Sequence, residues 1–414
     1  MHATARRPAP VVTTPEPVAR VLILCNSPDN GGGANLLFRV TQHLDPRRVQ
    51  ATLFLHRDGW QAAQQRAHGH ADVVVDPDFG EMDPVPRPRR GNLGAVARAA
   101  VVTTRNWGRA IAHVTRLITE RRIDVVAGFG GTPATLATAA ATIAGRPVVW
   151  SAQRCYDDLR AAIPMQALCL LPAVRCIFAV SRAAAAPYGH VPGKVLLAYN
   201  GIDPREVDPA RVRGTLRTRL GLAEDVPLVG MAGRVIHLKG VDLFLKAAAR
   251  IAGQHPEAHF VVIGRREGDA FDATLDGLAA APGLAGRVHF TGWVEDMRPA
   301  MRDLDVLAIP SRRDAAPLVA YEGMGLARAI VATRCPGLDE QLDEGRTGLY
   351  VPREDVAALA AGIGRLLGDA ALRRRLGAAA RADVIARFDI RHMVGLVEET
   401  IVRLGRDPGA RLGR

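Results

Sequence analysis

Arg20-Val21-Leu22-Ile23-Leu24-Cys25 is followed by Asn30-Gly31-Gly32-Gly33 and then by an amphipathic stretch from Ala34 to Leu44. A short run that stays apolar without alternating is a strand buried on both faces, as in a parallel sheet. Strand, glycine loop and helix together make the opening unit of a doubly wound fold. The loop is not G-x-G-x-x-G, and no G-x-x-x-x-G-K-[ST] occurs, which speaks against a nicotinamide-cofactor site or a P-loop.

The same alternation continues downstream. Strands are expected at Ala51–His56, Ala71–Asp76, Ile123–Ala127, Pro147–Trp150, Arg175–Val180 and from Val195, with Ser181 as a helix N-cap. Residues 204–226 are polar and Arg-rich, a linker with a short helix. Strands resume at Leu228–Ala232, Ala258–Ile263, Val288–Phe290, Val306–Ile309, Ala329–Ala332 and Gly348–Val351. Strands alternating with helices give an α/β class with parallel sheets. The expected organisation is a disordered tail at 1–17, a Rossmann-like domain at 18–203, the linker, and a second Rossmann-like domain at 227–388. Residues 389–414 form a C-terminal helix or tail, with a return to the first domain as one option. Two such units facing each other leave a cleft beyond the carboxyl ends of their strands.

The composition narrows the function. A hydrophobic content of 48% with 23% charged residues describes a soluble globular protein, and only 5% aromatics argues against a base-stacking surface. The net charge of +12 attracts anions, but no block of like charges forms a nucleic-acid tail. No nucleic-acid partner is expected. Five cysteines without C-x-x-C spacing read as buried thiols of a cytoplasmic protein rather than a zinc site, and the histidines show no ligand spacing. The most apolar stretch, Ala161–Val180, is broken by Pro164, Gln166, Pro172 and Arg175, so it reads as a buried helix followed by a strand rather than a span. The helix-period segment Gly94–Arg121 carries Arg98, Arg105, Arg109 and Arg116 on one side. That side is either a solvated face or a peripheral contact with an anionic inner membrane face.

Two segments about eighty residues apart carry the chemistry. Gly233-Arg234-Val235-Ile236-His237-Leu238-Lys239-Gly240 follows a strand and opens a helix. An Arg fork and a Lys point charge at a glycine-flanked turn suit a diphosphate. Glycines let backbone N–H groups approach phosphate oxygens, and a helix start adds a favourable field. Lysine is rare here, only Lys194, Lys239 and Lys246, so its use at this turn points to a site. The second segment holds Asp314 and Glu322, with Pro317 between them at a helix start. Two carboxylates at that spacing are expected on nearly one helical face, where they accept hydrogen bonds from sugar or ribose hydroxyls. A diphosphate flanked by hydroxyl-bearing rings is a nucleotide sugar.

These residues resemble glycosyltransferase family 4, the glycosyl transferases group 1, which are retaining enzymes of GT-B fold. Gly233-Arg234 with Lys239-Gly240 resembles the family's G-R…K-G. Asp314 to Glu322, after Pro310-Ser311, resembles its E-x7-E. Asn200-Gly201-Ile202-Asp203 is similar to N-G-[VI]-D, and Gly345-x-Thr347-Gly348-Leu349 to G-x-T-G. The resemblance implies a metal-independent hexosyltransferase without cofactor, taking a nucleoside-diphosphate sugar as donor and a hydroxyl acceptor in polysaccharide, lipid-linked or small-molecule chemistry. It implies catalytic roles for Arg234, Lys239, Asp314 and Glu322: diphosphate for the first two, transferred sugar for Asp314, ribose for Glu322. It implies substrate contacts at Gly31, Gly32, Gly33, Asn200, Gly233, Gly264, Gly292, Val294, Pro317, Leu318 and Val319. Three departures stand out: Asp for the first Glu, Ala315-Ala316-Pro317 for G-F-G, and Ser151-Ala152-Gln153 where many members place a histidine. Arg154, Asp157 and Asp158 are then candidates on the acceptor side. The competing readings are a silent GT-B nucleotide-binding module and a nucleotide-sugar epimerase. A glycan phosphorylase is disfavoured because neither Lys194 nor Lys246 has the context for pyridoxal phosphate.

Overall fold

The structure, a computed structural model, describes residues 18–76, 93–156, 158–268 and 270–412, with residues 93–102 described by their backbone only. The tail at 1–17, the proline-rich segment at 84–90, the Arg98 side chain and Asp157 lie outside the described residues. Two sheets organise the molecule. The first holds β1 (Ala19–Cys25), β2 (Val49–Leu55), β3 (Asp72–Val75), β4 (Val125–Phe129), β5 (Val148–Ala152), β6 (Val174–Ala179) and β7 (Val195–Leu197). Their order is β3-β2-β1-β4-β5-β6-β7, and every pairing is parallel. The second holds β8 (Leu228–Ala232), β9 (His259–Ile263), β10 (Val288–Phe290), β11 (Val306–Ile309), β12 (Ala329–Thr333) and β13 (Leu349–Val351). Its order is β10-β9-β8-β11-β12-β13, again all parallel.

Each strand feeds two cores because its side chains alternate across the sheet. On β1, Val21, Ile23 and Cys25 join one apolar cluster, while Leu22 and Leu24 join the cluster on the opposite face. On β8, Val229 and Met231 face one way and Leu228 and Ala232 the other. Burial on both faces is why these runs are continuously apolar in sequence. Trp150, buried in the first domain, gives its indole N–H to Thr138 Oγ at 2.9 Å, so its polar edge is satisfied. Ser181 caps the helix Arg182–Ala185 by accepting from the Ala184 N–H, as expected. One expectation fails. The helix within Ala161–Val180, Ile163–Leu168, buries none of its residues, and Ile163 and Leu170 are exposed. Its apolar residues follow no 3.6-residue stripe, and the run is too short to cover a sheet.

The strand orders place the ligand crevice. In each sheet the order reverses beside its first strand, between β1 and β4 and between β8 and β11. Helices leave in opposite directions at such a point, and the gap between them opens at the strands' carboxyl ends. Gly31–Gly33 follow β1, Gly233-Arg234 follow β8, and Pro310–Asp314 follow β11.

The chain crosses between domains twice, and the crossings touch. Ile202 N–H donates to the Phe388 carbonyl, and Ile390 N–H donates to the Ile202 carbonyl, both at 2.9 Å. A Cβ on Gly201 would stand 2.5 Å from Ile390 Cα, so only glycine lets the segments approach. After the second crossing, the helix Ile390–Arg406 packs Met393, Val394, Ile401 and Val402 against Val21, Ile23, Leu36 and Leu37 of the first domain.

Beside this junction Arg205 donates from its backbone N–H and its guanidinium to Asp203, and His43 Nε2 lies 3.4 Å from the same carboxylate. These hydrogen bonds, Arg205 first, hold the Asp203 carboxyl down at about 2 despite partial burial. A depressed carboxyl contributes stability that is fully present above about pH 4 and fades as pH falls through its folded value. Asp203→Asn is therefore expected to melt below wild type at neutral pH. The difference between the two melting temperatures should narrow as pH drops from about 4 toward about 2; a gap constant across that range would refute the linkage.

Candidate active site

Three glycines shape the wall of the second domain's crevice. Gly233, after β8, has φ +134, and Gly264, after β9, has φ +155. A Cβ on Gly264 would lie 1.8 Å from the Gly233 carbonyl oxygen. Gly264 also pairs with Gly292, at φ +68, in an isolated antiparallel bridge. Positive φ and backbone-on-backbone contact require glycine here. The turn then runs through His237–Lys239 to Gly240, whose φ of +70 starts the helix Val241–Ile251. Gly240 has no room for a side chain either: a Cβ would stand 2.1 Å from the Pro310 carbonyl oxygen. That contact presses the lysine turn against the segment leaving β11.

Across it, Lys239 Nζ meets Asp314 Oδ2 at 2.5 Å, 75 residues apart in sequence. The two sequence segments thus form one site. Asp314 itself is held by a bridge to Gly337. The expected common helical face for Asp314 and Glu322 is not found. The helix is Leu318–Gly325, with Pro317 as its N-cap at φ −64 and ψ 124. A proline disfavours helical backbone in the residue before it, so the turn begins only after Pro317 and Asp314 stays in the loop. The first N–H groups of this helix, at Leu318 and Val319, have no intrahelical acceptor, and the segment carrying them follows β11. Arg234 is two-thirds exposed and reaches Glu267 Oε1 at 3.3 Å. A weak, solvated pair of this kind is readily exchanged for a stronger anion.

Glu322 has a partner that sequence spacing does not show. It is buried, and its Oε1 accepts from Arg39 Nη2 at 2.6 Å, across the domain boundary. Arg298 lies nearby. Burial works against its charge, but Asp296, Glu206 and Glu322 raise its pKa overall. Asn200 gives its amide N–H to the Ala316 carbonyl at 3.0 Å, a contact that joins the two domains. Gly31 caps the helix Gly32–His43 in extended backbone, and Cβ positions at Gly31 and Gly32 meet no described residue. Val294 is half-buried against the core beside Gly292. Asn30 Nδ2 reaches the Glu295 carbonyl at 3.5 Å, so the first domain's glycine loop borders the turn that follows β10. Of the acceptor-side candidates, Arg154 is exposed, and Asp158 accepts from Arg160 N–H to cap a turn. That is a structural role. Burial pushes the Cys25 and Cys335 thiols up to about 11 and about 12, which favours the neutral thiol at both.

Comparison with known proteins follows the same division. Residues 226–369 match the family model of Glycosyl transferases group 1. The chain is 32% identical over 231 residues to the D-inositol 3-phosphate glycosyltransferase of Stackebrandtia nassauensis, covering 52% of this chain and 51% of that protein. It is 32% identical over 197 residues to the alpha-D-kanosaminyltransferase of Streptomyces kanamyceticus, covering 47% and 50%. The chain thus spans about half the length of the curated relatives it matches. In fold, it superimposes on Anabaena HepE in complex with UDP and glucose with a TM-score of 0.77 at 22% identity, covering 93% of this chain and 100% of the other. A glycosyltransferase from Rickettsia africae gives 0.78 at 16% identity, covering 94% and 99%. By architecture the chain has the GT-B fold, and in sequence its residues 226–369 are similar to Glycosyl transferases group 1.

Proposed function

We propose that this protein is a retaining, metal-independent glycosyltransferase that moves a sugar from a nucleoside-diphosphate donor to a hydroxyl acceptor. The observation that carries the reading is the Lys239–Asp314 contact at the β8/β11 switch point, with the helix Leu318–Gly325 starting in the same segment after Asp314. It puts a cation, a hydroxyl-accepting carboxylate and a helix start at one place, the set of groups a sugar diphosphate needs. The complex of Anabaena HepE with UDP-glucose shows a protein of this fold holding such a donor.

The steps follow from the charges. A diphosphate entering the site offers Lys239 and Arg234 a stronger anion than Asp314 or Glu267. Asp314 is then released to accept a hydrogen bond from a sugar hydroxyl, and Glu322 takes a ribose hydroxyl. The bond between C1 and the diphosphate oxygen breaks. Arg234, Lys239 and the helix N–H groups stabilise the negative charge that develops on the leaving group, the role a divalent cation fills elsewhere. The acceptor hydroxyl forms the new C1–O bond on the same face, and its proton passes to a leaving-group oxygen. The acceptor enters from the first domain, past Gly31–Gly33. Among the described residues no helix is long and apolar enough to cross a membrane. We place the protein in the cytoplasm, with a peripheral contact to anionic lipid through the exposed Arg105, Arg109 and Arg116.

Calorimetric titration of UDP, GDP, ADP and TDP in the presence of EDTA should give saturable binding of one of them. Binding of none would overturn the reading, and binding without sugar transfer to any acceptor would favour the silent module. Lys239→Ala and Arg234→Ala should each lower turnover at least about tenfold, the lower range for removing one charge stabiliser of a transition state. Wild-type rates in both would refute the leaving-group role.

A further inference from the structure

Arg39 is the eighth residue of the helix Gly32–His43, in the first domain, yet it serves the second. It is only 7% exposed, and its Nη2 donates to Glu322 Oε1 at 2.6 Å. Its Nε lies 3.8 Å from Glu206 Oε2, and the same oxygen accepts from Arg298 Nη1 at 2.6 Å. Helix, linker and second domain therefore meet at one run of alternating charges. Arg39 Nη1 is buried and has no acceptor among the described residues. Leaving a buried donor unpaired is costly, and each one in a native structure calls for a reason.

A hydroxyl both donates and accepts, and a ribose presents two side by side. A carboxylate can only accept, and a guanidinium can only donate. One of each, already joined through Glu322 Oε1 and Arg39 Nη2, is complementary to such a diol: one hydroxyl donates to the remaining Glu322 oxygen while its neighbour accepts from Nη1. We propose that Arg39 is a specificity-determining residue for the donor, forming with Glu322 a reader of the ribose diol built from both domains. The proposal rests on the nucleotide-sugar reading above and adds to it a first-domain residue. Because the pair exists only when the domains are set as here, nucleotide binding favours that setting by the same factor by which the setting favours the nucleotide.

The test compares wild type, Arg39→Ala and Arg39→Lys by calorimetry with three probes: the ribonucleoside diphosphate that binds best, its 2′-deoxy counterpart, and inorganic pyrophosphate. Wild type should prefer the ribonucleotide by at least about tenfold, as a site built to bond a hydroxyl rejects the ligand lacking it. In Arg39→Ala that preference should fall to about threefold or less, and ribonucleotide affinity should drop about tenfold, while pyrophosphate affinity stays within about twofold. A merely structural ion pair would weaken all three ligands together, and that result would overturn the proposal. So would an undiminished ribose preference in Arg39→Ala. Should Arg39→Ala fail to fold, Arg39→Lys, which keeps the charge but not the planar fork, must still lose part of the preference; an unchanged ratio in it sinks the idea. If wild type binds none of the nucleotides, the nucleotide-sugar reading fails as well. If wild type discriminates and the variants match it, only the role of Arg39 fails.

Discussion

The contact between the two domain crossings constrains everything else. Ile202 exchanges backbone hydrogen bonds with Phe388 and Ile390, and Gly201 lies against Ile390 with no space for a side chain. A single crossing would act as a tether. Two crossings bonded side by side restrict the domains to motions about their shared line. Around that line the polar contacts accumulate: Asn200 on Ala316, Arg39 on Glu322, and Glu340 accepting from the Arg182 and Ala183 N–H groups and from Tyr199 Oη. Buried hydrogen bonds to charged groups are worth more than solvated ones, and they are directional. The junction thus sets the facing of the two switch points to within the tolerance of a few hydrogen bonds.

The site itself is built by close approach more than by charge. Gly233, Gly240, Gly264 and Gly337 each put backbone against backbone where a Cβ would collide or where φ is positive. The results of these contacts are two chain segments, one carrying Lys239 and one carrying Asp314, brought within hydrogen-bonding reach. Their charges offset one another while the site holds only protein groups. An anion entering there must compete with that pairing, so a single weak carboxylate has little to gain from Lys239.

The sheets were legible in the sequence because strands buried on both faces write themselves as unbroken apolar runs; β1 and β8 are examples. The lysine turn and Asp314 were legible as well, since glycines flank one and a proline follows the other. The shared helical face was misread because the effect of Pro317 on the residue before it outweighs the eight-residue spacing. Arg39 escaped notice for a different reason. It is one arginine on an amphipathic helix, and its partner lies 283 residues away. Nothing in the local sequence distinguishes it from an arginine on a solvated helix face, and only the return of the chain through the junction brings the two together. The apolar residues around Ile163 misled in the opposite direction, since hydrophobic composition without helical period does not say which way a short helix faces.

The helix Ile390–Arg406 has a consequence for how the molecule is made. The first domain's strands emerge first from the ribosome, yet Ile401, Val402 and Leu404 complete the same apolar cluster as Val21, Ile23 and Leu37. One of that domain's two apolar cores stays open until the helix Ile390–Arg406 has been made, exposing apolar surface during synthesis, while the core on the opposite face of the sheet draws only on first-domain residues. The second domain, contiguous in sequence, finishes earlier and can serve as a folded platform while the earlier-made half is still incomplete. Order of synthesis and order of completion therefore differ, and loss of the helix Ile390–Arg406 would uncover one face of the first domain's sheet.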